Sequence, residues 1–179
     1  MKTTQILIAG FGGQGILFSG KFLAYKGLIE ELQVSWLPSY GPEMRGGTAN
    51  CNVILSDTPV GSPIITVPDV LIAMNLPSLQ KYVDSVASGG QIYVDSSLID
   101  AKVERSDVDV FYIPATQMAK DEGVGTLANM IVVGHLLENH PELSFEGAEE
   151  VVAKLVPPKK AALKELNMKA LTLGKSYRG

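Results

Sequence analysis

Cysteine and histidine are scarce in this sequence of 179 residues. It contains one cysteine, Cys51, and two histidines, His135 and His140. A single thiol cannot form an internal disulfide bond, and it cannot supply the four thiolates that hold an iron–sulfur cluster. The two histidines lie on or near one predicted helix and lack the Cys or His companions of a zinc site. We therefore expect this chain to hold neither a cluster nor a zinc ion of its own.

Long hydrophobic runs are also missing, although the composition is apolar, with 46% hydrophobic residues and a mean hydropathy of +0.18. No run approaches the roughly 20 apolar residues that cross a bilayer. The first residues, 1–4, lead directly into a strand-like run, so we expect no signal peptide, no membrane contact and a cytoplasmic protein. Part of the apolar excess suits surfaces that meet other subunits, and a homodimer of the isolated chain would follow if those surfaces were bare.

Charge is low overall and uneven along the chain. The net charge of −4 argues against nucleic acid as a partner. From Lys154 to the end there are seven basic residues and one acid, Glu165, which makes this segment +6 and the remainder −10. Two interpretations stay open: a solvated helix face, or a docking tail for an acidic partner.

Short apolar runs alternate with helical periodicity along most of the chain. Alternation of this kind predicts an α/β fold: a Rossmann-like, doubly wound, mostly parallel sheet with helices on both faces. We expect a single domain over residues 1–179, with a C-terminal helical part from about 144 to 179. Thr126 and Ser144 are predicted to cap helices, and Asp107 and Asp109 place the last strand near a sheet edge. Strands are predicted over 5–9, 34–37, 48–56, 69–74, 91–95 and 108–113, and helices from 16 to about 29 and over 77–87, 127–138, 145–156 and 160–173.

A glycine-rich turn follows the first predicted strand. Residues 10–15 read Gly-Phe-Gly-Gly-Gln-Gly and fit G-x-G-x-x-G between a strand and a helix. A dinucleotide site also needs an acidic residue at the end of the second strand, where this sequence has Pro38, Ser39 and Tyr40. The turn also lacks the G-K-[ST] ending of a nucleotide-hydrolysing loop. Either the helix N-terminus receives some other anion, or the turn is rich in glycine for close packing alone.

A second distinctive loop follows the second predicted strand. Residues 39–47 read Ser-Tyr-Gly-Pro-Glu-Met-Arg-Gly-Gly. Arg45 offers a planar fork for a carboxylate or phosphate, and Glu43 is close enough in sequence to pair with it or orient it. The alternative is an ordinary ion-paired surface loop. A loop at the carboxyl end of a strand lies where α/β folds place function.

The two loops together resemble the gamma subunit of 2-oxoacid:ferredoxin oxidoreductases. The resemblance rests on the turn at 10–15 and the loop at 39–47, and it continues through 53–57, 62–64, 69–79, 113–116 and 127–130. It covers most of the chain, from about residue 6 to 134. Trp36 and Met44 look closer to the 2-oxoisovalerate and 2-oxoglutarate branches than to the pyruvate enzymes.

The resemblance implies a role inside a larger enzyme. Such enzymes convert a 2-oxoacid, coenzyme A and oxidised ferredoxin to an acyl-CoA, CO2 and reduced ferredoxin. Alpha and beta subunits hold thiamine diphosphate with Mg²⁺, and beta or a delta subunit holds the iron–sulfur clusters. The gamma chain supports assembly, contacts ferredoxin only indirectly, carries no catalytic residue or metal, and is inactive in isolation. Its coenzyme A-binding or active-site-facing residues would be Gly10, Gly12, Gly13, Gln14, Gly15, Ser39, Tyr40, Gly41, Glu43, Arg45, Gly46 and Gly47.

Two other functions stay open beside that one: a free-standing Rossmann-type nucleotide-binding protein, and a purely structural subunit without a ligand. Cys51 is expected to be a buried small hydrophobe and His135 a structural residue. Asn129 is polar among apolar neighbours and is expected to cap or to bridge to a partner. Trp36 and Tyr40 are candidates for a subunit interface, where aromatic side chains are enriched.

Overall fold

The computed structural model describes residues 3–39 and 48–179. Its strands are β1 (Thr3–Phe11), β2 (Gln33–Ser39), β3 (Thr48–Ser56), β4 (Val70–Ala73), β5 (Gln91–Asp95) and β6 (Asp109–Ile113). Its α-helices are α1 (Ile16–Ile29), α2 (Leu76–Tyr82), α3 (Ala115–Asp121), α4 (Ala128–Asn139), α5 (Ala148–Leu155) and α6 (Ala161–Ser176). Short 3₁₀ turns follow α2 and precede α6.

The strands form one sheet in the order β2-β3-β1-β4-β5-β6. The pairs β1–β4, β4–β5 and β5–β6 are parallel, whereas β1–β3 and β2–β3 are antiparallel. Two successive reversals leave β2 running in the same direction as β1, so β3 alone is reversed among these six described strands. The predicted mostly parallel α/β fold is confirmed, while the domain limits 1–179 and 144–179 stay a prediction.

Two hydrophobic clusters cover the two faces of the sheet. Side chains alternate along each buried strand, so Ile72 faces the first cluster and Leu71 the second. The first cluster contains residues of α1, α3, α4, α5 and α6, and the second contains Leu79 of α2 with residues that follow it. Both faces are therefore covered, which is why the central strands are apolar on both sides.

The order of the strands differs from the simple unit that the first 37 residues suggest. A strand–turn–helix–strand unit usually places its two strands side by side in parallel. Here β3 lies between β1 and β2, because β2 and β3 pair as antiparallel neighbours before the chain returns to β1. The spacing of hydrophobic residues along the sequence predicts where strands lie, but it does not indicate which strands pair.

The helix caps predicted at Thr126 and Ser144 are wrong by one and three residues. The N-cap of α4 is Leu127 and that of α5 is Gly147, and within the described residues neither makes a side-chain cap hydrogen bond. The helix α3 was not predicted, because it is short and its apolar residues behind Pro114 are two alanines and Met118. The edge position of β6 is confirmed by the strand order.

Helices α4 and α6 approach each other at two glycines. A Cβ built on Gly134 would lie 2.0 Å from the carbonyl oxygen of Leu171, and one on Gly174 would lie 1.8 Å from that of Ile131. Contacts this short are impossible for a real side chain, so the crossing requires glycine on both helices. His135, beside this crossing, is buried and its Nδ1 lies 3.0 Å from the Gly174 oxygen.

Candidate functional site: the switch point of the sheet

The strands that follow β1 and β4 in the chain are added on opposite sides of the β1–β4 pair. From β1 it passes through α1 on one face towards β2 and β3, and from β4 it passes through α2 on the other face towards β5. In open α/β sheets, the crevice at the carboxyl ends of two such strands is where ligands bind. The glycine turn at 11–15 and the β4–α2 junction at 74–76 lie on the two sides of this switch point.

The glycine turn is shaped by contacts at its two ends. A Cβ on Gly10 would lie 2.6 Å from the Gln14 Oε1 and 2.9 Å from the Met74 Cβ, and one on Gly15 would lie 2.5 Å from the Asn129 Nδ2. Gly15 also has φ of 74°, which favours glycine. At these two positions, therefore, glycine serves close packing, one of the two roles left open by the sequence.

The middle of the turn is different. Gly12 and Gly13 are exposed, and a Cβ on Gly13 would meet no described atom within 4 Å, although its φ of 90° still favours glycine. The backbone at Gly13 is thus open to a close approach from outside the described part of the chain. The packing role does not account for this position.

Gln14 ties the turn to the neighbouring strand. Its Oε1 accepts a hydrogen bond from the Phe11 N–H at 2.6 Å, and its Nε2 donates one to the Met74 carbonyl oxygen at 2.9 Å. The amide therefore bridges the crevice and fixes the distance between its two sides. Its hydrogen-bonding groups serve the protein itself, so Gln14 acts as a positioning residue here.

Asn129 holds the start of α1. Its Nδ2 donates to the Gly15 carbonyl oxygen at 3.1 Å and to the Ser19 Oγ at 3.0 Å, while its Oδ1 is buried and has no hydrogen-bond partner among the described residues. Asn129 therefore bridges α4 and α1 within the chain, whereas the expected bridge to a partner stays a prediction. The signal in the sequence was a single amide in an otherwise apolar helix.

A cavity of about 250 Å³ opens beside the glycine turn. Its lining includes Gly13, Gln14 and Met74 from the switch point, together with Leu98 from the turn after β5 and Thr116 from the first turn of α3. No charged residue of the described ranges lines it. A cavity with these walls accepts an apolar or weakly polar group and offers nothing to neutralise a phosphate.

A buried carboxylate at the end of β5 positions Thr116, which lines the cavity. Asp95 is fully buried, and its Oδ2 accepts a hydrogen bond of 2.5 Å from the Thr116 Oγ1. Its Oδ1 accepts from the N–H groups of Ser97 and Thr116 at 3.1 and 3.3 Å. Sequence reasoning missed both Asp95 and Thr116. An aspartate that ends an apolar strand was the available signal.

The second predicted loop begins and ends at the same edge. Ser39 is exposed at the end of β2, and β3 begins at Thr48, which pairs with Phe11 at the start of the glycine turn. The remaining predicted site residues lie outside the described residues: Tyr40, Gly41, Glu43, Arg45, Gly46 and Gly47. Met44 lies outside them too.

The end of β2 is too far from the glycine turn for a dinucleotide site of the usual kind. In such a site, the acidic residue stands on the strand next to β1. Here β3 separates the two strands, which places the end of β2 about 10 Å from β1 at two strand spacings. Strand order and sequence therefore both argue against a bound dinucleotide.

Cys51 and His135 occupy structural positions, as expected. Burial raises the pKa of Cys51 to about 12, and a hydrogen bond from Trp36 partly opposes this shift. Burial lowers the pKa of His135, which stands edge-on to the rings of Phe111 and Tyr177. Trp36 is 37% exposed on the edge strand β2, so its candidacy for an interface stays open.

The basic C-terminal segment is largely paired with acids of this chain. Ion pairs join Lys154 to Glu150 and Lys164 to Glu149 at 3.3 Å, and similar pairs involve Lys169 and Arg178. These are exposed pairs of the kind found on a solvated helix face. The structure thus favours the first of the two interpretations.

Neither a metal-binding cluster nor a membrane-spanning helix occurs in the described part of the chain. Within residues 3–39 and 48–179, no group of three or more His, Cys, Asp or Glu side chains is placed to hold a metal ion. No helix in the same ranges is long and apolar enough to cross a membrane.

The fold and the switch point define a Rossmann-like α/β domain whose glycine turn lies beside a small uncharged cavity. The sequence matches the family model described as pyruvate ferredoxin/flavodoxin oxidoreductase over residues 5–177. The chain therefore belongs to this family, and the resemblance stated from its two loops is confirmed.

Relatives of two kinds share this sequence. The ketoisovalerate oxidoreductase subunit VorA of Methanothermobacter thermautotrophicus is 43% identical over 133 residues, which are 74% of this chain and 28% of that protein. The 2-oxoglutarate synthase subunit KorC of Methanothermobacter marburgensis is 35% identical over 178 residues, which are 96% of this chain and 94% of that protein. The chain thus spans little more than a quarter of the first relative and nearly all of the second.

Solved structures show the same two arrangements. The gamma subunit of a keto/oxoacid ferredoxin oxidoreductase from Geobacter sulfurreducens superposes with a TM-score of 0.80 at 31% identity, over 96% of both chains. A 2-oxoglutarate:ferredoxin oxidoreductase from Magnetococcus marinus, with 2-oxoglutarate, coenzyme A and succinyl-CoA bound, superposes with a TM-score of 0.87 at 27% identity. That match covers 98% of this chain and 31% of the other.

Proposed function

We propose that this chain is the gamma subunit of a cytoplasmic, thiamine-dependent 2-oxoacid:ferredoxin oxidoreductase that acts on 2-oxoisovalerate or 2-oxoglutarate. The complex converts the 2-oxoacid, coenzyme A and oxidised ferredoxin to acyl-CoA, CO2 and reduced ferredoxin. Membership of the family and the two relatives described above support this role. The partners are the alpha and beta subunits of the same enzyme, with a delta subunit where the clusters are carried separately.

Within that enzyme, the gamma chain supports assembly and contributes to the coenzyme A site. One observation carries this part of the proposal: the exposed backbone of Gly13 lies at the switch point beside an uncharged cavity. The φ of 90° explains why this residue is glycine, but it does not explain why the described residues leave the turn uncovered here, which a bound ligand would explain. The bound coenzyme A in the Magnetococcus enzyme is consistent with the same ligand class.

The described residues fit part of a coenzyme A molecule. The cavity of about 250 Å³ suits an uncharged group such as the pantetheine arm, and the bare turn at Gly13 permits close approach. The phosphates need cations, and no lysine or arginine of the described ranges lines this cavity. Arg45 is the cation that the sequence supplies in the second loop, so we assign it to the phosphates.

Substitution of Arg45 tests the ligand role in the assembled enzyme. We expect Arg45→Ala to raise the KM for coenzyme A about 10- to 100-fold, the range for loss of a charge-assisted hydrogen bond, with a smaller change in kcat. Arg45→Lys should restore part of the affinity, and Lys159→Ala, which removes an exposed cation of the C-terminal part, should match the wild type. An unchanged KM for coenzyme A in Arg45→Ala would leave the chain a structural subunit.

The subunit role is tested separately by anaerobic purification of the tagged chain from its native source. We expect thiamine- and iron–sulfur-containing subunits to co-purify, with coenzyme A-dependent oxidation of 2-oxoisovalerate or 2-oxoglutarate faster than that of pyruvate or indolepyruvate. A chain that purifies alone would contradict the proposal. Saturable NAD binding by that lone chain would then favour a free-standing nucleotide-binding protein.

A further inference from the structure

The two edges of the sheet differ in their capacity to bind another strand. Edge strands are usually protected by charge, proline or a covering segment. The edge strand β2 contains such a proline, Pro38, which cannot donate a main-chain hydrogen bond. On β6, by contrast, the charge is confined to the first residue, Asp109, and the sequence from Val110 to Ile113 is Val-Phe-Tyr-Ile, with high strand propensity and no charge.

The hydrogen bonds of β6 show which of its main-chain groups face outwards. The Asp109 N–H donates to the Gly90 oxygen, and the Ile113 oxygen accepts from the Ser96 N–H, so both residues point their main-chain groups towards β5. Direction alternates along a strand, and therefore Val110 and Tyr112 point theirs away from the sheet. Outside the strand ladders of residues 3–39 and 48–179, no main-chain hydrogen bond reaches the N–H or the oxygen of either residue.

A groove of about 660 Å³ runs along this edge, and we call it the β6 groove. Its lining includes Lys102, Val110, Phe111, Tyr112, Tyr177 and Arg178. Val110 and Tyr112, whose main-chain groups face outwards, thus line an open groove. Its volume suits a short extended segment of about four or five residues, since such a segment fills a comparable space.

Of the two cations of the β6 groove, Lys102 has no ion pair among the described residues, and it indicates the charge of the occupant. The Lys102 Nζ lies 4.0 Å from the centroid of the Tyr112 ring. Tyr112 is one of the two residues whose main-chain groups face outwards. On the other wall, Arg178 pairs with Glu138 at 3.2 Å and remains exposed. An incoming strand with a carboxylate beside Lys102 would complement this charge.

We propose that the free edge of β6 receives an extended, carboxylate-bearing segment of another subunit as a seventh strand of the sheet. Val110 and Tyr112 supply two N–H donors and two carbonyl acceptors to it, and Lys102 pairs with its carboxylate. The inference depends on the proposed function only in that another chain of the enzyme provides the strand.

A second copy of this chain fits the β6 groove less well. Two β6 strands related by a two-fold axis perpendicular to the sheet would keep each face of one copy beside the same face of the other. Lys102 of each copy would then lie on the same face of the joined sheet. The second copy would bring a cation to that face and no carboxylate for Lys102, which disfavours the pairing.

Hydrogen exchange of single amides distinguishes these cases in the intact enzyme. In the isolated chain, we expect the amides of Val110 and Tyr112 to exchange fast and that of Phe111, which faces β5, to exchange slowly. In the purified complex, Val110 and Tyr112 should slow at least 10-fold while Phe111 changes little. Unchanged exchange at both residues in the complex would overturn the inference, and so would slow exchange in an isolated chain that is dimeric.

Variants test the same contact through assembly. We expect Lys102→Glu to weaken association of this chain with the other subunits at least 10-fold in a competition pull-down, while Lys159→Glu, a reversal elsewhere on the surface, should bind as the wild type does. Val110→Pro removes one outward donor and should also weaken assembly, whereas Val110→Thr keeps the amide and should not. Near-ultraviolet circular dichroism checks that each variant is folded. Normal assembly of folded Lys102→Glu and Val110→Pro would refute the inference and leave the proposed subunit role intact, whereas a wild-type chain that binds no subunit would remove both.

Discussion

From the crossing of α4 and α6, we predict that a single methyl group added at Gly174 destabilises the fold. Gly174→Ala adds a Cβ that would lie 1.8 Å from the Ile131 carbonyl oxygen and 2.8 Å from the His135 nitrogen. Both are main-chain atoms, so a change of rotamer cannot relieve the contact. The helices must separate by more than 1 Å to restore an ordinary contact of about 3.4 Å or longer, and separation loosens the packing of Ile131, Ala170 and Leu171.

The expected cost is the difference between two effects. Alanine in place of glycine inside a helix gains about 1 kcal/mol. Insertion of a methyl into a well-packed contact costs about 1–3 kcal/mol and more when main chain must move, so we set the cost here at about 4 kcal/mol. The net loss is about 3 kcal/mol in the free energy of unfolding, and for a chain of this length it lowers Tm by roughly 6–12 °C.

Thermal and urea unfolding of the isolated chain, followed by circular dichroism, would measure this loss. Gly61→Ala is a matched control, because a Cβ at Gly61 would meet no described atom within 4 Å and its φ is not positive. We expect Gly61→Ala to lie within about 0.5 kcal/mol of the wild type. If Gly174→Ala is as stable as Gly61→Ala, the close approach of the two helices is wrong.

Three further predictions concern the site and two buried titratable groups. Gln14→Ala should lower the free energy of unfolding by about 1–2 kcal/mol in urea titrations, because Phe11 and Met74 lose their partner across the crevice. The pKa of Cys51 is raised from 9.0 to about 12. The stability that the buried thiol contributes should therefore be complete below pH 9 and lost as pH rises towards 12. The wild type should lose stability faster than Cys51→Ala over that range. The lowered pKa of His135 acts in the opposite sense, and stability should fall as pH drops below about 6.5, less steeply in His135→Gln.

The sequence predicted the strands well and their pairing poorly. Runs such as 69–74 and 91–95 are largely apolar because both faces of these strands are covered, and a short run of this kind between turns is typical of a buried parallel strand. The pairing of β2 with β3 depends on contacts between segments whose patterns are alike, so local sequence could not specify it. The caps predicted at Thr126 and Ser144 were misplaced because Leu127 and Gly147 precede the helices without a side-chain cap among the described residues.

Prediction of the site was limited in a similar way. The glycine spacing located the turn, because a tight turn before a helix restricts its residue types. It could not show that Gly10 and Gly15 serve packing while Gly13 is open, since that depends on Met74 and Asn129, which are distant in sequence. The hydrogen bond from Thr116 to Asp95 depends on tertiary structure in the same way.

The reversed strand β3 has a consequence for the order in which the protein can form during synthesis. Once residue 56 has left the ribosome, β1, β2 and β3 can complete their mutual hydrogen bonds with α1 packed across them. The other half of the sheet must wait for β4, which pairs with the remaining edge of β1. Until about residue 73, nascent chains therefore leave free an edge of β1 that the finished sheet covers, and this interval is where a chaperone would have most effect.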